Sequence, residues 1–254
     1  MNNTIKHIAA TSVLAVLTIA LNSCYIRISD EAKQDIKDSF KYEKLMSEVV
    51  YSQNDSLVYT PGEFHTLEAS SWIDIIFEQR EGEPEVVVKG STRVRDSIKV
   101  ENVDGTLKIY YAPRGGLLYT KDEYVKVFAP GLDRIVKGGS GDLSVKGTLM
   151  GGSFVISSSG SGDLYIEGCE IKGPVTIDKT GSGDIEARVK CESLLVGASG
   201  SGDVILSGEA TEASIRKSGS GDLEARKLTT KKIDVSKSGS GDVIYNEDGV
   251  VKTD

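Results

Sequence analysis

The sequence predicts an all-β chain whose C-terminal half is a parallel β-helix-like solenoid, with about twenty residues and two strands per repeat. Two observations carry this reading. The tetrapeptide Gly-Ser-Gly-Asp occurs six times, starting at Gly139, Gly160, Gly181, Gly200, Gly219 and Gly239, at intervals of 21, 21, 19, 19 and 20 residues. The residues at fixed offsets from each copy are also apolar in every repeat. One position after the Asp stand Leu143, Leu164, Ile185, Val204, Leu223 and Val243, and three after it Val145, Ile166, Ala187, Leu206, Ala225 and Tyr245. Four positions before each first Gly stand Ile135, Ile156, Ile177, Val196, Ile215 and Val235. Between the apolar positions the residues are mixed, as in Ser144, Tyr165, Glu186, Ile205, Glu224 and Ile244. This is strand alternation with one face inward. Neither strand can bury a face alone, whereas stacked coils turn the aliphatic positions into continuous columns. The alternative, a meandering antiparallel sheet, gives no reason for identical inward positions at a fixed period.

The N-terminal residues read as an export signal. Lys6 and His7 precede a run without charge from Ile8 to Leu21, too short to span a bilayer but long enough for a secretory core. The run ends in Leu21-Asn22-Ser23-Cys24, which resembles the lipobox of bacterial lipoproteins. Residues 1–23 are therefore expected to be removed and Cys24 to carry the acyl chains, enough buried methylenes for stable membrane anchoring. Residues 24–61 show no strand alternation. Ser29-Asp30 is placed to cap a helix over roughly 31–48, with Ala32, Ile36 and Phe40 on one face, giving a tether that is part helix and part linker.

Residues 62–138 read as a β-rich region leading into the repeats at 139–254. Trp72–Phe77 and Glu85–Lys89 are short strand-like runs. Ser97–Val100 and Leu107–Tyr110 alternate and are joined by Asn102-Val103-Asp104-Gly105, which predicts a hairpin. Tyr124–Phe128 follows and is ended by Pro130-Gly131. Helical periodicity is absent. In the repeats the tetrapeptide reads as a corner, with glycine supplying tight backbone angles and Ser and Asp bonding nearby backbone.

These features together resemble the head GIN domain family of auto-transporter-adhesin-like lipoproteins of Bacteroidetes. The resemblance rests on Phe64-x-x-Leu67 before Ile73-Asp74-Ile75, on Val86-Val87-Val88, and on Gly105-x-Leu107-x-Ile109. It continues through Val125-x-Val127-x-x-Pro130-x-Leu132-x-x-Ile135 and the recurring Gly-Ser-Gly-Asp, covering roughly residues 62–246. It implies a right-handed, parallel-β-helix-like fold and no established biochemical activity. The word adhesin in that family is itself an inference from fold.

The candidate residues for chemistry are few. Asp142, Asp163, Asp184, Asp203, Asp222 and Asp242 are expected to stack at about 4.8 Å as a structural corner ladder. Two bare carboxylates at that distance repel by about 0.9 kcal/mol in water and about 3.5 kcal/mol at an effective dielectric of 20. The ladder must be solvated, hydrogen-bonded to backbone, or matched by cations. Two positions before each first Gly stand Lys137, Ser158, Lys179, Ala198, Lys217 and Lys237, so lysines are available for local pairing. Each Asp is expected to bond its own corner. Calcium is the rival, but calcium-binding nonapeptide solenoids place an Asp-bearing turn every nine residues. No metal and no cofactor is expected. His65 is the only histidine left after the signal, and it reads as a strand-edge surface residue. Cys169 and Cys191 lie in consecutive repeats and read as buried free thiols.

The formal charge of −8 becomes −9 once residues 1–23 and their one lysine are removed, a balance that disfavours nucleic acid as a partner. The expected function is a non-enzymatic envelope lipoprotein at the outer membrane, presenting an elongated surface to a glycan or protein. Its alternatives are a carbohydrate-active enzyme of the parallel β-helix type and a periplasm-facing structural protein. Outward Glu186-Ala187-Arg188 and Glu224-Ala225-Arg226 would suit the enzyme if they converged in a groove, and the scaffold if they formed flat ladders.

Overall fold

In the computed structural model, residues 56–112, 123–247 and 249–254 are described. The expected signal peptide, Cys24 and the expected helix over 31–48 lie outside them. Among these residues there are eighteen strands and one short helix, and most of the strands form two hydrogen-bonded faces of stacked coils. The first face runs through β7 (Tyr124–Ala129), β3 (Asp74–Gln79), β9 (Leu143–Lys146) and β12 (Leu164–Ile171), all parallel. It continues through the leading halves of β14 (Ile185–Ala198), β15 (Val204–Lys217) and β16 (Leu223–Lys237) to β17 (Val243–Glu247). The second face runs through β6 (Thr106–Tyr111), β2 (Thr66–Ser70), β8 (Arg134–Lys137), β11 (Phe154–Ser158) and β13 (Pro174–Lys179), then the trailing halves of β14, β15 and β16. β10 (Leu149–Gly151) pairs with the end of β12 between the faces.

The predicted columns are the core. Leu143, Leu164, Ile185, Val204, Leu223 and Val243 are buried, and so are Ile135, Ile156, Ile177, Val196 and Ile215. Ile177 and Val196 are register partners, as expected of adjacent inward rungs. Val235 is only partly buried, because the trailing half of β16 ends the second face. The two strands expected per repeat are separate in the early coils. In β14 to β16 they merge into one chain of 14 or 15 residues that bends between the faces.

Coil stacking begins well before the tetrapeptides. β2 and β3 form a coil of their own, and β8–β9 stacks directly on it. The chain then makes a detour. β4 (Glu85–Lys89) runs antiparallel to β7, and β1 (Ser56–Tyr59) antiparallel to β4. The helix α1 (Thr92–Ser97) leads into β5 (Ile98–Val103), antiparallel to β6. β6 and β7 then stack on the opposite side of β2–β3 from β8–β9. Each end of the first face thus finishes in antiparallel pairing, through β4 and β1 at one end and β18 (Val250–Thr253) at the other. The hairpin at β5–β6 is as predicted: Val103 pairs Thr106, and Asp104 and Gly105 both have positive φ, at 50° and 77°. Positive φ at both central residues is the type I′ turn that matches strand twist.

Three local expectations are corrected. The stretch before residue 62, expected to be strand-free tether, contains β1, which pairs with β4 from Ser56 to Tyr59. The region of 62–138 does contain a helix, α1, whose single buried apolar residue Val94 leaves no periodic stripe to read. Trp72 and Ile73 belong to a corner rather than a strand, since β3 starts at Asp74. Among the described residues no helix is long and apolar enough to cross a membrane.

Candidate functional site

The tetrapeptide corners lie one above another, and the stacking explains their composition. A Cβ at Gly160, Gly181 or Gly219 would come closer than 3.0 Å to backbone of the corner one coil earlier, and the same holds at Gly162, Gly183 and Gly221. Real Cβ atoms essentially never approach so closely. Positive φ occurs at the first glycine in Gly139, Gly200 and Gly239 only, and at the second glycine in none. The expectation that glycine supplies tight backbone angles therefore holds at those three corners and not at the others. Close approach between coils is the common requirement.

The aspartates form the expected column, and their bonds run between coils. Oδ1 of Asp142 accepts the N–H of Asp163 at 2.8 Å, and Oδ1 of Asp163 that of Asp184 at 2.8 Å. The pattern continues from Asp184 to Asp203 at 2.7 Å, Asp203 to Asp222 at 2.7 Å and Asp222 to Asp242 at 2.8 Å. From Asp142 to Asp222 each carboxylate satisfies the next corner and not, as expected, its own. An ionised acceptor strengthens such a bond. The ladder also starts earlier than the tetrapeptides: Oδ1 of Asp74 accepts the N–H of Asp142 at 2.9 Å. Asp74 has the repeat's own signature, with Ile75 one position on and Phe77 three positions on, but Ser71-Trp72-Ile73 stands before it in place of Gly-Ser-Gly.

The lysines lie on the inner side of the same corners. Lys137, Lys179 and Lys217 are 1%, 1% and 3% exposed. Their column in register reads Lys137, Ser158, Lys179, Ala198, Lys217, Lys237. The Lys137 ammonium donates to the carbonyl of Gly162 at 2.6 Å. Lys179 donates to Gly181 at 3.1 Å and Gly202 at 2.7 Å, and Lys217 to Gly219 at 2.9 Å. Lys137 and Lys179 each reach into the following coil, where the equivalent residue is the small Ser158 or Ala198. Two ammoniums stacked one rung apart would repel as two carboxylates do. The adjacent pair Lys217–Lys237 stands at the end of the stack, where Lys237 is partly exposed and lies 3.8 Å from Asp242. Burial pushes the Lys137 and Lys179 ammoniums below the ordinary lysine value, and the ladder opposes it, through Asp142, Asp163 and Asp74 at Lys137 and Asp184, Asp203 and Asp163 at Lys179. Buried cations on one side and backbone N–H groups on the other thus balance the acid column.

Elsewhere, His65 is exposed, 3.9 Å from Asp133. Cys169 and Cys191 are buried free thiols; Cys169 pairs in register with Val189 and Cys191 with Ala210. Burial pushes Cys169 up to about 12 and Cys191 to about 11. No group of three or more His, Cys, Asp or Glu among the described residues is arranged to hold a metal ion. On the outer surface of the first face, Tyr165, Glu186, Ile205 and Glu224 line up across successive coils. Two shallow grooves of 340 and 410 Å³ adjoin there and share Glu167 and Arg188.

A stack of parallel coils built on glycine corners, with an antiparallel entry region, defines the class as a β-solenoid. A family profile described as "Putative auto-transporter adhesin, head GIN domain" matches residues 63–254, and the chain belongs to that family. No curated protein matches the sequence. Among solved structures it is similar to a putative adhesin from Bacteroides fragilis, at 19% identity and TM-score 0.63, covering 75% of this chain and 96% of that one. A putative adhesin from Parabacteroides distasonis gives 21% identity and TM-score 0.64, covering 74% and 80%. A putative lipid binding protein from the same organism gives 21% and 0.61, covering 77% and 97%. At these identities the likeness establishes the shared fold.

Proposed function

We propose that this protein is an exported envelope lipoprotein, held at the outer membrane by acyl chains on Cys24, whose solenoid acts without catalysis as an elongated surface for attachment to a glycan or protein. The observation that carries this reading is the form of the outer surface. Outward acids such as Glu186 and Glu224 follow the strand alternation and line up along the stack. An enzyme of the parallel β-helix type would need paired acids converging across a cleft, whereas of the two acids lining the 410 Å³ groove Glu167 is tied to Lys146 and the N–H of Gly147, leaving Glu186 alone. Membership of an adhesin-named family supports an envelope location, and the Leu21–Cys24 tetrapeptide supports the lipid.

The test has three parts. Labelled palmitate should enter the wild type and be absent from Cys24→Ala. Protease shaving of intact cells should remove the solenoid if it faces outward and spare it if it faces the periplasm. Incubation of the purified protein with polysaccharides should release no reducing ends; their steady appearance would replace this reading with the enzymatic one.

A further inference from the structure

The tripeptide Glu-Ala-Arg occurs at 186–188 and again at 224–226, each time leaving a corner on the first face. In the second copy Arg226 closes on Glu224 at 2.9 Å. A register shift there, with Ile205 opposite Glu224 but Ser207 opposite Lys227, re-aims Arg226. In the first copy the extra residue lies in the preceding strand β12 instead, with Ile166 opposite Ala187 but Cys169 opposite Val189, and the ladder to β15 is regular, with Glu186 opposite Ile205, Ala187 opposite Leu206 and Arg188 opposite Ser207. Glu186 and Arg188 form no hydrogen bond or ion pair among the described residues, and both are exposed. The other two charges that line the 410 Å³ groove are matched, Lys146 bonding Glu167 at 2.7 Å. One open carboxylate and one open guanidinium therefore stand in the 410 Å³ groove.

Beside them lies a fixed aromatic ring. Tyr165 is the register neighbour of Glu186 and is 38% exposed. Its hydroxyl donates to Oδ2 of Asp163 at 2.9 Å, while Oδ1 of that carboxylate holds the N–H of Asp184. The corner ladder thus pins the ring on the outer surface before any ligand arrives, which lowers the ordering cost of binding. We infer that Tyr165, Glu186 and Arg188 form a binding site for a neutral saccharide. The ring offers a flat apolar surface to the C–H face of a pyranose. Arg188 supplies several donors and Glu186 acceptors, side by side, for adjacent hydroxyls. The two open charges cancel, and the acidic chain as a whole disfavours a polyanion. Here β14 is flanked by β12 on one side and β15 on the other, so an extended peptide has no strand edge to join.

This inference rests on the attachment reading, yet its test uses purified protein and is independent of anchoring: palmitate labelling at Cys24 can succeed while saccharide binding fails. The test is affinity electrophoresis through native gels containing hydroxyethylcellulose, α-mannan or soluble starch, with polygalacturonate as the anionic comparison. At least one neutral polymer should retard the wild type. Arg188→Ala, Glu186→Gln and Tyr165→Ala should each weaken retardation about tenfold or more, equivalent to one hydrogen-bonded or stacked contact. Arg216→Ala, on the second face, should leave it unchanged. Tyr165→Phe keeps the ring and should retain more binding than Tyr165→Ala, and melting curves of the variants establish that they are folded. Retardation by none of the neutral polymers, retardation by polygalacturonate alone, or retardation that survives Arg188→Ala and Tyr165→Ala together would overturn the inference.

Discussion

Replacing Lys179 by Met tests the account of the corners directly. The thioether side chain fills much of the same space and removes the charge. The carbonyls of Gly181 and Gly202, which accept from the ammonium at 3.1 and 2.7 Å, cannot be removed with it. The Gly181 carbonyl keeps the N–H of Ser201 at 3.4 Å, whereas that of Gly202, partly buried, is left unsatisfied at a cost of about 1–3 kcal/mol. Asp163, Asp184 and Asp203 also lose the cation that faces them. The gain from no longer burying a charge offsets part of this. The expected net loss is about 3 kcal/mol, at the low end for breaking a buried charge interaction by removing one partner. It is read from urea unfolding at neutral pH, followed by far-UV circular dichroism. The double variant with Asp184→Asn separates the two contributions. Asn keeps a carbonyl oxygen for the Asp203 N–H and removes one ladder charge, so it should recover about 1 kcal/mol in the Lys179→Met background. A Lys179→Met loss below about 0.5 kcal/mol would refute the assignment of the buried lysines as the counter-charge of the ladder, since losses that small are typical of surface substitutions.

Four further outcomes follow from the same geometry. Gly181→Ala should lower stability by about 3 kcal/mol in the same assay, because its Cβ meets the Gly160 carbonyl one coil earlier, whereas Gly131→Ala, with nothing within 4 Å, should be nearly silent. Asp184→Asn alone should leave the melting temperature nearly unchanged, and a chelator should not lower that of the wild type; a chelator-induced drop restored by calcium would show the ladder to be a metal site. Tyr165 should ionise at about 12, raised by its hydrogen bond to Asp163. The stability from that bond should be fully present below about pH 10, the ordinary tyrosine value, and be lost as pH rises through 12. In Asp163→Asn the ring should titrate lower, as followed by NMR. Cys169 and Cys191 should resist iodoacetamide at pH 8 in the folded protein and react on unfolding, since burial holds both thiols protonated.

The repeat columns were legible because they depend on short-range facts. A residue one or three positions after the Asp faces inward whatever its neighbours are, so alternation alone identified Leu164, Ile185 and Val204 as core. The hairpin at Asp104-Gly105 was equally local, being set by two residues that accept positive φ. The first coil was harder to see. Ser71, Trp72 and Ile73 stand where later corners carry Gly-Ser-Gly, so only Asp74 and the aliphatics after it mark the rung. The lysine column was visible as a pattern but not as a buried one. A charged side chain at an inward position reads as an exception until the corner carbonyls that hold it are in place.

By itself, the sequence determined the strand alternation, the inward columns, the turn chemistry and the family to which the chain belongs. These rest on periodicity and on residues adjacent along the chain. Tertiary structure decided which coil lies against which. It placed β6–β7 on the far side of β2–β3, although β8–β9 comes later in the chain, because pairing between coils is not encoded in the spacing of one strand. It also gave one tripeptide two outcomes: Glu224-Ala225-Arg226 closes on itself where its own strand carries an extra residue against β15, and Glu186-Ala187-Arg188 stays open where the extra residue lies in the neighbouring β12. The residues are the same in both places. The neighbouring coil sets the direction of the arginine, and so sets which copy keeps a charge pair available to a ligand.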